Sequence, residues 1–450
     1  MSVLSVLFSS IPYLFAMLMG VLLPLMGVMF YSHFSLGVWA VAFLFMLDTL
    51  FPGLPGLPLG IAIYPGDFVF ILIGSAAVLR ILLNGCRAEG MWLWLAFGFV
   101  LLLSFAIGIV RNGTAAGVDF RVYFYFWAAT LYGMTFPMPV DQVSKVIGTF
   151  VKVGLAVAVV AAYRWIVEGF DIVDLMPEHG PWSDAGFRVV TSEQALILAQ
   201  LFLLTAFLGF LHPSLIAFRW LAGPLLLMVV VLQHRSVWLV LIAGVWAALF
   251  IPSKTKVQRK NGMVAVLMFG LVMVPVALSG KFGAVSESVG ASAYRAATLS
   301  DTAGERLYSW QSLIGKIVGG GPVTVTIGEP FGSDNTRYSS EGFSAKKISY
   351  QAHNFFVQTL LRTGVLGLAL FLASLIFLFK NLNRLRQDPV QGEFARALMV
   401  LAITQVVFYI PYGANYLQAL LLGVGFSFVY HVRSCETRAD SGPKVSLSTC

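Results

Sequence analysis

Long apolar runs, separated by short polar or Gly- and Pro-rich stretches, recur along almost the whole chain. A helix of about 20 apolar residues crosses the hydrocarbon core of a bilayer, so each run is a predicted membrane-spanning helix. The pattern predicts an all-α polytopic membrane helix bundle of about twelve or thirteen crossings, with one large external loop that contains short helices. The predicted spans lie at about 5–30, 34–50, 66–83, 92–110, 121–138, 145–166, 190–211, 215–232, 236–251, 263–280, 353–379, 394–411 and 415–431.

The first fifty residues decide between twelve and thirteen crossings. Pro12 and Pro24 interrupt the first span, because proline cannot donate a helical backbone hydrogen bond, and the second span is short for a bilayer. The start has no basic segment before its apolar run and no small-residue cleavage site, so we expect a retained membrane segment and not a signal peptide. Residues 51–60, FPGLPGLPLG, predict a turn after the second span.

Composition excludes a soluble protein. Of the 450 residues, 58% are apolar and 11% are charged, whereas soluble domains carry about 25% charged residues. The formal charge of +8 would suggest a nucleic-acid partner in a soluble protein, but in a membrane protein basic residues are expected in the cytoplasmic loops. We therefore predict membrane lipid, and no nucleic acid, as a partner.

Two basic clusters set the predicted orientation, because positive residues concentrate in cytoplasmic loops. The clusters are separated by two predicted crossings and so lie on one side; they comprise Lys254, Lys256, Arg259 and Lys260, and then Lys380, Arg384 and Arg386. This parity predicts N-terminal transmembrane helices at 1–280, a large external loop at 281–352, C-terminal transmembrane helices at 353–432 and a cytoplasmic tail at 433–450.

The external loop at 281–352 is too long for a plain connector in a compact bundle, and long loops of this kind usually carry function. Its first half predicts short helices on the outer surface. Its second half, from the triple glycine at 319–321, predicts turns and one short strand. The triple glycine follows no predicted strand and opens no predicted helix, so we interpret it as a flexible hinge and not as a phosphate-binding turn.

The sequence predicts no metal and no nucleotide or other cofactor. Cys86, Cys435 and Cys450 lack metal-ligand spacing and are expected to be free thiols. The chain contains no Asp-x-Asp cluster, and Asp171 and Asp174, at helical spacing in an acidic external stretch, mark the alternative place for a divalent ion.

The segment in which the external loop enters the next span reads HNFFVQTLLRTGVLG over residues 353–367. It resembles the signature of the bacterial O-antigen ligase and Wzy-type polymerase family, in which His is followed by Asn, Ser or Gln, nine residues and Gly-x-x-Gly. His353, Asn354, Gly364 and Gly367 occupy the four defined positions without a gap.

Three Arg-bearing segments extend the resemblance. They are FRVVTSEQALILAQ around Arg188, QHRSVWLVLIAG around Arg235 and GERLYSWQSLIG around Arg306. The first of these lacks the Gly-Thr pair and the Asn-rich stretch that are usual in the family. Predicted parity puts all three arginines and His353 on the outer side, against the positive-inside bias, so an anionic partner is expected there. A guanidinium presents donors in a planar fork that matches phosphate oxygens, and we predict one outward-facing cavity lined by these four side chains.

The resemblance implies a multi-pass glycosyltransferase of the bacterial inner (cytoplasmic) membrane that works on the periplasmic face. It would transfer a glycan from an undecaprenyl-pyrophosphate carrier to an acceptor hydroxyl, with inversion and without a metal. His353 would be the catalytic base, and Arg188, Arg235 and Arg306 would bind the donor pyrophosphate. The acceptor would be lipid A core in a ligase, or a second lipid-linked repeat unit in a Wzy-type polymerase of exopolysaccharide, capsule or O-antigen.

The remaining signature residues have structural interpretations as well. Asn354 would orient the imidazole or cap the start of the helix, and Gly364 with Gly367 would permit close helix packing. A polysaccharide transporter or flippase is the second alternative class, because such proteins also have about twelve crossings. That class is expected to place ionisable residues near the bilayer midplane and often to have repeated halves, and the sequence shows neither clearly.

Overall fold

The computed structural model describes residues 24–53, 56–58, 62–86, 90–168, 188–208, 218–251, 302–338, 347–349, 351–388 and 391–441, together with a few isolated positions. The predicted span at 263–280, most of the span at 5–30, the basic cluster from Lys254 to Lys260 and the acidic stretch with Asp171 and Asp174 lie outside the described residues.

The described residues form a helical bundle with two short antiparallel hairpins. The helices are α1 (Pro24–Ser32), α2 (Phe34–Leu50), α3 (Pro65–Asn84), α4 (Met91–Asn112), α5 (Thr114–Met134), α6 (Val140–Tyr163), α7 (Ser192–Phe207), α8 (Ala222–Val231), α9 (Arg235–Phe250), α10 (Thr302–Gly319), α11 (Gly321–Ile327), α12 (Phe355–Leu385), α13 (Gly392–Phe408) and α14 (Tyr416–Ser441). A π-helical turn, Arg164–Glu168, continues α6, and a 3₁₀ turn, Arg219–Leu221, precedes α8. Strand β1 (Leu57–Pro58) pairs with β2 (Ala62–Ile63), and β3 (Arg337–Tyr338) pairs with β4 (Lys347–Ile348).

The predicted all-α polytopic membrane bundle is confirmed. Among the described residues, α3, α4, α6 with its continuation to Ile166, and α12 are long and apolar enough to cross a membrane. Helices α1 and α2 meet at a bend of 116° and would add a fifth span if they form one broken crossing. Large apolar side chains face outward on α3 and α4, where Leu82, Phe99 and Val110 are exposed by 76%, 68% and 86%, as a lipid-facing surface requires. The total of twelve or thirteen crossings stays a prediction.

Close approach of two helices builds the centre of the bundle, where small residues of α5 and α14 face each other. A Cβ atom on Gly423 would lie 2.1 Å from the Thr130 carbonyl oxygen, so only glycine fits this crossing. The Thr130 hydroxyl donates to the Ala419 carbonyl oxygen at 3.0 Å. Small residues spaced in this way let membrane helices pack backbone to backbone and gain dispersion energy and interhelical hydrogen bonds.

A buried amide cluster joins α14 to two further helices, α7 and α13. Gln200 on α7 and Gln418 on α14 exchange hydrogen bonds at 3.0 Å and 2.6 Å, and Gln200 also donates to the Thr404 hydroxyl on α13 at 2.8 Å. Burying an amide without a hydrogen-bond partner costs on the order of 2–7 kcal/mol in an apolar environment. The hydrogen bonds among these side chains therefore hold the three helices in register.

The external segment differs in one respect from the sequence prediction. Residues 321–327 (GPVTVTI) form helix α11, where turns and a short strand were predicted. The valines and threonines of this segment favour a strand, but Pro322 stands in the first helical turn, where its missing N–H costs nothing, and α11 packs against α12. The triple glycine therefore separates two helices, α10 and α11, and the short strand predicted for this half appears later as β3.

Helix α12 breaks at Gly364, whose φ of 63° and ψ of −167° are outside the helical region. A Cβ atom there would lie 2.3 Å from the Thr326 carbonyl group, so the position needs glycine both for its backbone angle and for the approach of α11. The Leu361 carbonyl oxygen accepts a hydrogen bond from Glu329 N–H at 2.7 Å instead of from its own helix. At Gly367 the atoms nearest to an added Cβ would belong to Thr363 of the same helix, so the predicted helix–helix packing role of Gly367 stays a prediction.

A buried ion pair attaches residues of the predicted external loop to the bundle beside this break. The Nε of Arg362 on α12 lies 2.6 Å from an Asp119 carboxylate oxygen on α5, and the two side chains are 0% and 8% exposed. Asp119 also accepts hydrogen bonds from Gln351 at 2.8 Å and from Gly332 N–H at 3.1 Å, and Arg362 donates to the Ser333 carbonyl oxygen at 2.9 Å. Gly332, Ser333 and Gln351 are thus tied to two helices through one pair of charges.

Replacement of Arg362 by Met is expected to lower the free energy of unfolding by about 3–5 kcal/mol, because Asp119 would remain buried without its cation. The Arg121–Asp67 pair, at 2.9 Å and with side chains 18% and 19% exposed, supplies the matched control. Arg121→Met should cost only about 1 kcal/mol, since water screens that pair. Denaturant unfolding of both variants in detergent measures the difference, and equal losses would contradict the special role of the buried pair.

Candidate functional site

The signature segment begins at a backbone junction between α12 and the loop after α13. The N–H of Phe355 donates to the carbonyl oxygens of Tyr409 and Tyr412 at 2.8 Å and 3.0 Å. The Asn354 side chain accepts a hydrogen bond from Val357 N–H at 3.0 Å and is the N-cap of α12. Of the two interpretations of Asn354, helix capping therefore accounts for its Oδ1. Asn354 is held by its cap to α12, and Phe355 is held by its backbone bonds to Tyr409 and Tyr412. The backbone at His353, directly before them, is therefore fixed beside the α13–α14 loop.

Tyr412 contacts both the predicted base and one of the predicted arginines. The ring centroids of His353 and Tyr412 are 6.0 Å apart with an interplanar angle of 71°. The Arg306 guanidinium lies 5.4 Å from the Tyr412 centroid and donates to the Pro411 carbonyl oxygen at 3.3 Å. Phe408 stacks on Tyr412 from α13 at 5.0 Å. The structure thus brings Arg306 and His353 together around one aromatic ring.

The hydroxyl of Tyr412 joins this pair to the starts of two other helices. It interacts with the side chains of Arg306, Ser192 and Ser236, and the two serines stand at the beginnings of α7 and α9. Burial alone would raise the pKa of Tyr412, but the charge of Arg306 and the interactions with these side chains lower it below its ordinary value. The phenol is therefore in electrostatic contact with groups from three helices.

His234 continues the same chain of contacts on the other side of Ser192. Its Nε2 lies 2.8 Å from the Val190 carbonyl oxygen, which can only accept, so Nε2 carries the proton. Its Nδ1 then accepts from the Ser192 hydroxyl at 3.2 Å. Burial, together with the positive charge of Arg188, lowers the pKa of His234 to about 4. A neutral imidazole with a defined tautomer therefore binds the Ser192 hydroxyl.

Arg188 and Arg235 occupy this second side of the cluster. Arg188 donates to the Gln233 carbonyl oxygen at 3.4 Å, and its Nε is buried with no hydrogen-bond partner in the described part of the chain. Arg235 is the first residue of α9, between His234 and Ser236. Gln233 has a positive φ of 55°, a strained conformation for a residue with a side chain, at the junction that presents these groups.

Arg337, a residue not singled out from the sequence, joins α10 to the segment just before His353. Its side chain is buried. It donates hydrogen bonds to the Ser309 hydroxyl on α10 and, at 3.4 Å, to the Gln351 carbonyl oxygen. Ser309 lies one helical turn after Arg306, and Gln351 precedes His353 closely. Arg337 therefore holds the helix that carries Arg306 against the segment that carries His353.

Contacts through other residues link Arg306, His353 and Arg188, whereas Arg235 is placed only by its position between His234 and Ser236. The single outward-facing cavity lined by all four stays a prediction. Tyr412, Ser192 and His234 were not predicted, although His234 stands directly before Arg235 in QHRS. Tyr412 has no local signal, because it reaches the cluster from a loop far along the chain. No group of three or more His, Cys, Asp or Glu side chains suited to a metal occurs among the residues that the structure describes.

The low pKa of His234 generates a prediction about stability. Below about pH 6.5 the unfolded chain binds a proton at this imidazole, whereas the folded chain does not until about pH 4. Folding is therefore disfavoured as the pH falls through this window, by up to about 3 kcal/mol. His234→Gln keeps an acceptor for Ser192 and a donor for Val190 and should lose less stability between pH 7 and pH 4.5. Unfolding temperatures in detergent test this, and equal losses in both proteins would contradict it.

The family profile described as O-antigen ligase matches residues 220–372. This stretch includes Arg235, Arg306 and the whole signature from His353 to Gly367, whereas Arg188 and Tyr412 lie outside it. No curated protein matches the chain. The predicted resemblance is confirmed for the matched stretch. Residues 220–372, about a third of the 450-residue chain, are thus similar to the O-antigen ligase family.

Proposed function

We propose that the protein transfers a glycan from an undecaprenyl-pyrophosphate carrier to an acceptor hydroxyl on the periplasmic face of the bacterial inner membrane. The observation that carries the proposal is that Arg306 and His353, both inside the stretch matched by the O-antigen ligase family, each contact the ring of Tyr412. An anion-binding group and a proton acceptor at one place are what such a transfer requires.

The arginines supply the electrostatic part of the reaction. Arg235 begins α9, Arg188 precedes α7 and Arg306 lies in the first turns of α10. The Nε of Arg188 is a buried donor without a partner among the described residues. Such a donor is costly to leave unsatisfied, and a phosphate oxygen would satisfy it. Guanidinium groups hold pyrophosphate by paired, charge-assisted hydrogen bonds that strengthen as negative charge develops on the leaving group.

His353 supplies the base. Its imidazole would accept the proton of the acceptor hydroxyl while the hydroxyl oxygen forms a bond to the anomeric carbon of the donor sugar. The bond from that carbon to the phosphate oxygen breaks on the opposite face, and its electron pair leaves with the pyrophosphate. Attack opposite the leaving group inverts the anomeric centre. Because the arginines neutralise the leaving group, we propose that no metal is required.

The acceptor distinguishes a ligase from a polymerase. Lipid A core would make the protein an O-antigen ligase, and a second carrier-linked repeat unit would make it a Wzy-type polymerase. Purified protein given the carrier-linked glycan of its host membranes and both acceptors in turn tests the proposal. A glycan on lipid A core identifies a ligase and a longer carrier-linked chain identifies a polymerase, whereas vesicles that move the donor across the membrane without transfer would identify a flippase.

Substitutions of the predicted base and arginines should impair transfer without unfolding the bundle. His353→Ala is expected to lower the rate by about a hundredfold or more. Arg306→Lys and Arg235→Lys keep the positive charge but lose the planar guanidinium that can donate two hydrogen bonds to one phosphate. Each should lower the transfer rate by about ten- to a hundredfold. Arg384→Lys, at an exposed position near the other end of α12, is the matched control.

The assay is glycan transfer in membranes that contain equal amounts of each variant, with a chelator present throughout. Near-normal transfer by both Lys variants would reduce the arginines to structural anchors. Near-normal transfer by His353→Ala would show that His353 is not the catalytic base. A dependence of transfer on added magnesium would contradict the metal-independent mechanism.

Tyr412 should contribute through both its ring and its hydroxyl. Tyr412→Phe keeps the ring between His353 and Arg306 but loses the hydroxyl contacts, and transfer is expected to fall about tenfold. Tyr412→Leu removes the ring as well and should cost more. Tyr338→Phe, at a tyrosine that is 53% exposed, serves as the control. Wild-type rates for Tyr412→Phe would show that its hydroxyl does not organise the site.

A further inference from the structure

A cavity of about 190 Å³ opens beside the Tyr412 cluster, between α2, α7 and the loop that precedes α14. Its walls include Phe45 and Asp48 from α2, Thr191 and Glu193 from the start of α7, and Asn415 with Tyr416 from the end of the loop. These positions lie outside the stretch matched by the O-antigen ligase family. The mechanism proposed above uses none of these residues.

Two carboxylates give the cavity its chemistry. Asp48 accepts a hydrogen bond from the Tyr416 hydroxyl at 2.5 Å, and Glu193 accepts one from the Asn415 side chain at 2.7 Å. Neither carboxylate has an ion-pair partner in the part of the chain that the structure describes. An ionised carboxylate offers about four acceptor positions, so each retains capacity to bind donors from a ligand.

The rest of the wall is amphipathic. The rings of Phe45 and Tyr416 are 6.3 Å apart and nearly perpendicular, which gives the cavity an aromatic side. Thr191 and Gln194 add a hydroxyl and an amide at the beginning of α7. A few directed polar groups against an aromatic surface suit a ring that carries hydroxyl groups on its edge and C–H groups on its faces.

The cavity and the Tyr412 cluster share two chain segments. Ser192, which binds His234 and Tyr412, stands between Thr191 and Glu193. Asn415 and Tyr416 follow Tyr412 at the end of the same loop. The positive side of this region, with its arginines, and the negative side, with Asp48 and Glu193, are therefore neighbours. A pyrophosphate is attracted to the first and repelled by the second, whereas uncharged sugar hydroxyls can donate to the carboxylates.

We propose that this cavity binds a sugar residue of the glycan, with ring hydroxyls donating to Asp48 and Glu193 and a ring face against Phe45 and Tyr416. The proposal rests on the proposed function, because it takes the ligand from the donor or the acceptor glycan. The opposed charges would orient the substrate, with pyrophosphate at the arginines and sugar at the carboxylates.

The test uses purified full-length protein in detergent and a defined probe, the free glycan released by mild acid from the carrier-linked donor of the host membranes. Calorimetry measures binding to the wild type and to Asp48→Asn and Glu193→Gln, which keep the shapes of the side chains but remove their charges. Affinity for the glycan should fall about tenfold in each variant. Asp141→Asn, at an exposed carboxylate at the start of α6, is the control and should bind normally.

Transfer kinetics then identify the source of the sugar. A raised KM for the carrier-linked donor assigns the cavity to the donor glycan, and a raised KM for the acceptor assigns it to the acceptor. Unchanged glycan binding in both variants, with unfolding temperatures equal to that of the wild type, would overturn the proposal. Ethanolamine, a small cation without a sugar ring, tests whether the cavity merely binds positive charge. The proposal would also be overturned if ethanolamine competed for the cavity as strongly as unlabelled glycan does. Glycan binding that depends on both carboxylates in a protein without transfer activity would uphold the cavity and refute the proposed function.

Discussion

The Arg362–Asp119 ion pair is the constraint on which the rest of the candidate site depends. Two charges buried beside a helix break are stable only because each is surrounded by donors or acceptors from the external segment, including Gly332, Ser333 and Gln351. Satisfying that pair therefore forces the segment to lie across α5 and α12. The same requirement sets the position of His353, which follows Gln351 closely along the chain.

The helix break at Gly364 serves the same arrangement. A continuous α12 would use the Leu361 carbonyl for its own ladder, whereas the break leaves that oxygen to bind the backbone of Glu329. Lys316 on α10 in turn pairs with Glu329 at 2.9 Å. The helix that carries Arg306 is thus linked through a lysine, a glutamate and a broken helix to the signature segment. A glycine that looks like a packing residue in the sequence decides where an external helix is attached.

The candidate site is assembled from parts of the chain on both sides of the matched domain. Arg235, Arg306 and His353 lie within residues 220–372, but the groups that join them, Ser192 and Tyr412, lie before and after it. A low local dielectric strengthens every contact in such a cluster and makes each unpaired group costly. A neutral His234, with its tautomer set by a backbone carbonyl, fits this environment better than a charged one.

The sequence alone predicts the all-α membrane bundle, because burying backbone groups in lipid requires helices and each apolar run reports its own helix. The signature from His353 to Gly367 could be recognised for the same reason, since its residues are adjacent in the chain, and the family match confirms that relationship. Arg235 could be nominated from its charge at a predicted outer helix end, and Arg306 from its place in the predicted external loop.

Only the tertiary structure decided what brings those residues together. Helix α11 forms where β-branched residues favour a strand, because its packing against Gly364 outweighs local propensity. Tyr412, Asp119 and the Asp48–Glu193 cavity had no local signal, since each acts through partners hundreds of residues away or on other helices. Hydrophobic periodicity depends on residues one helical turn apart and can therefore be predicted from the sequence. Polar pairing inside a bundle depends on which helix ends lie close together, and only the tertiary structure determines that.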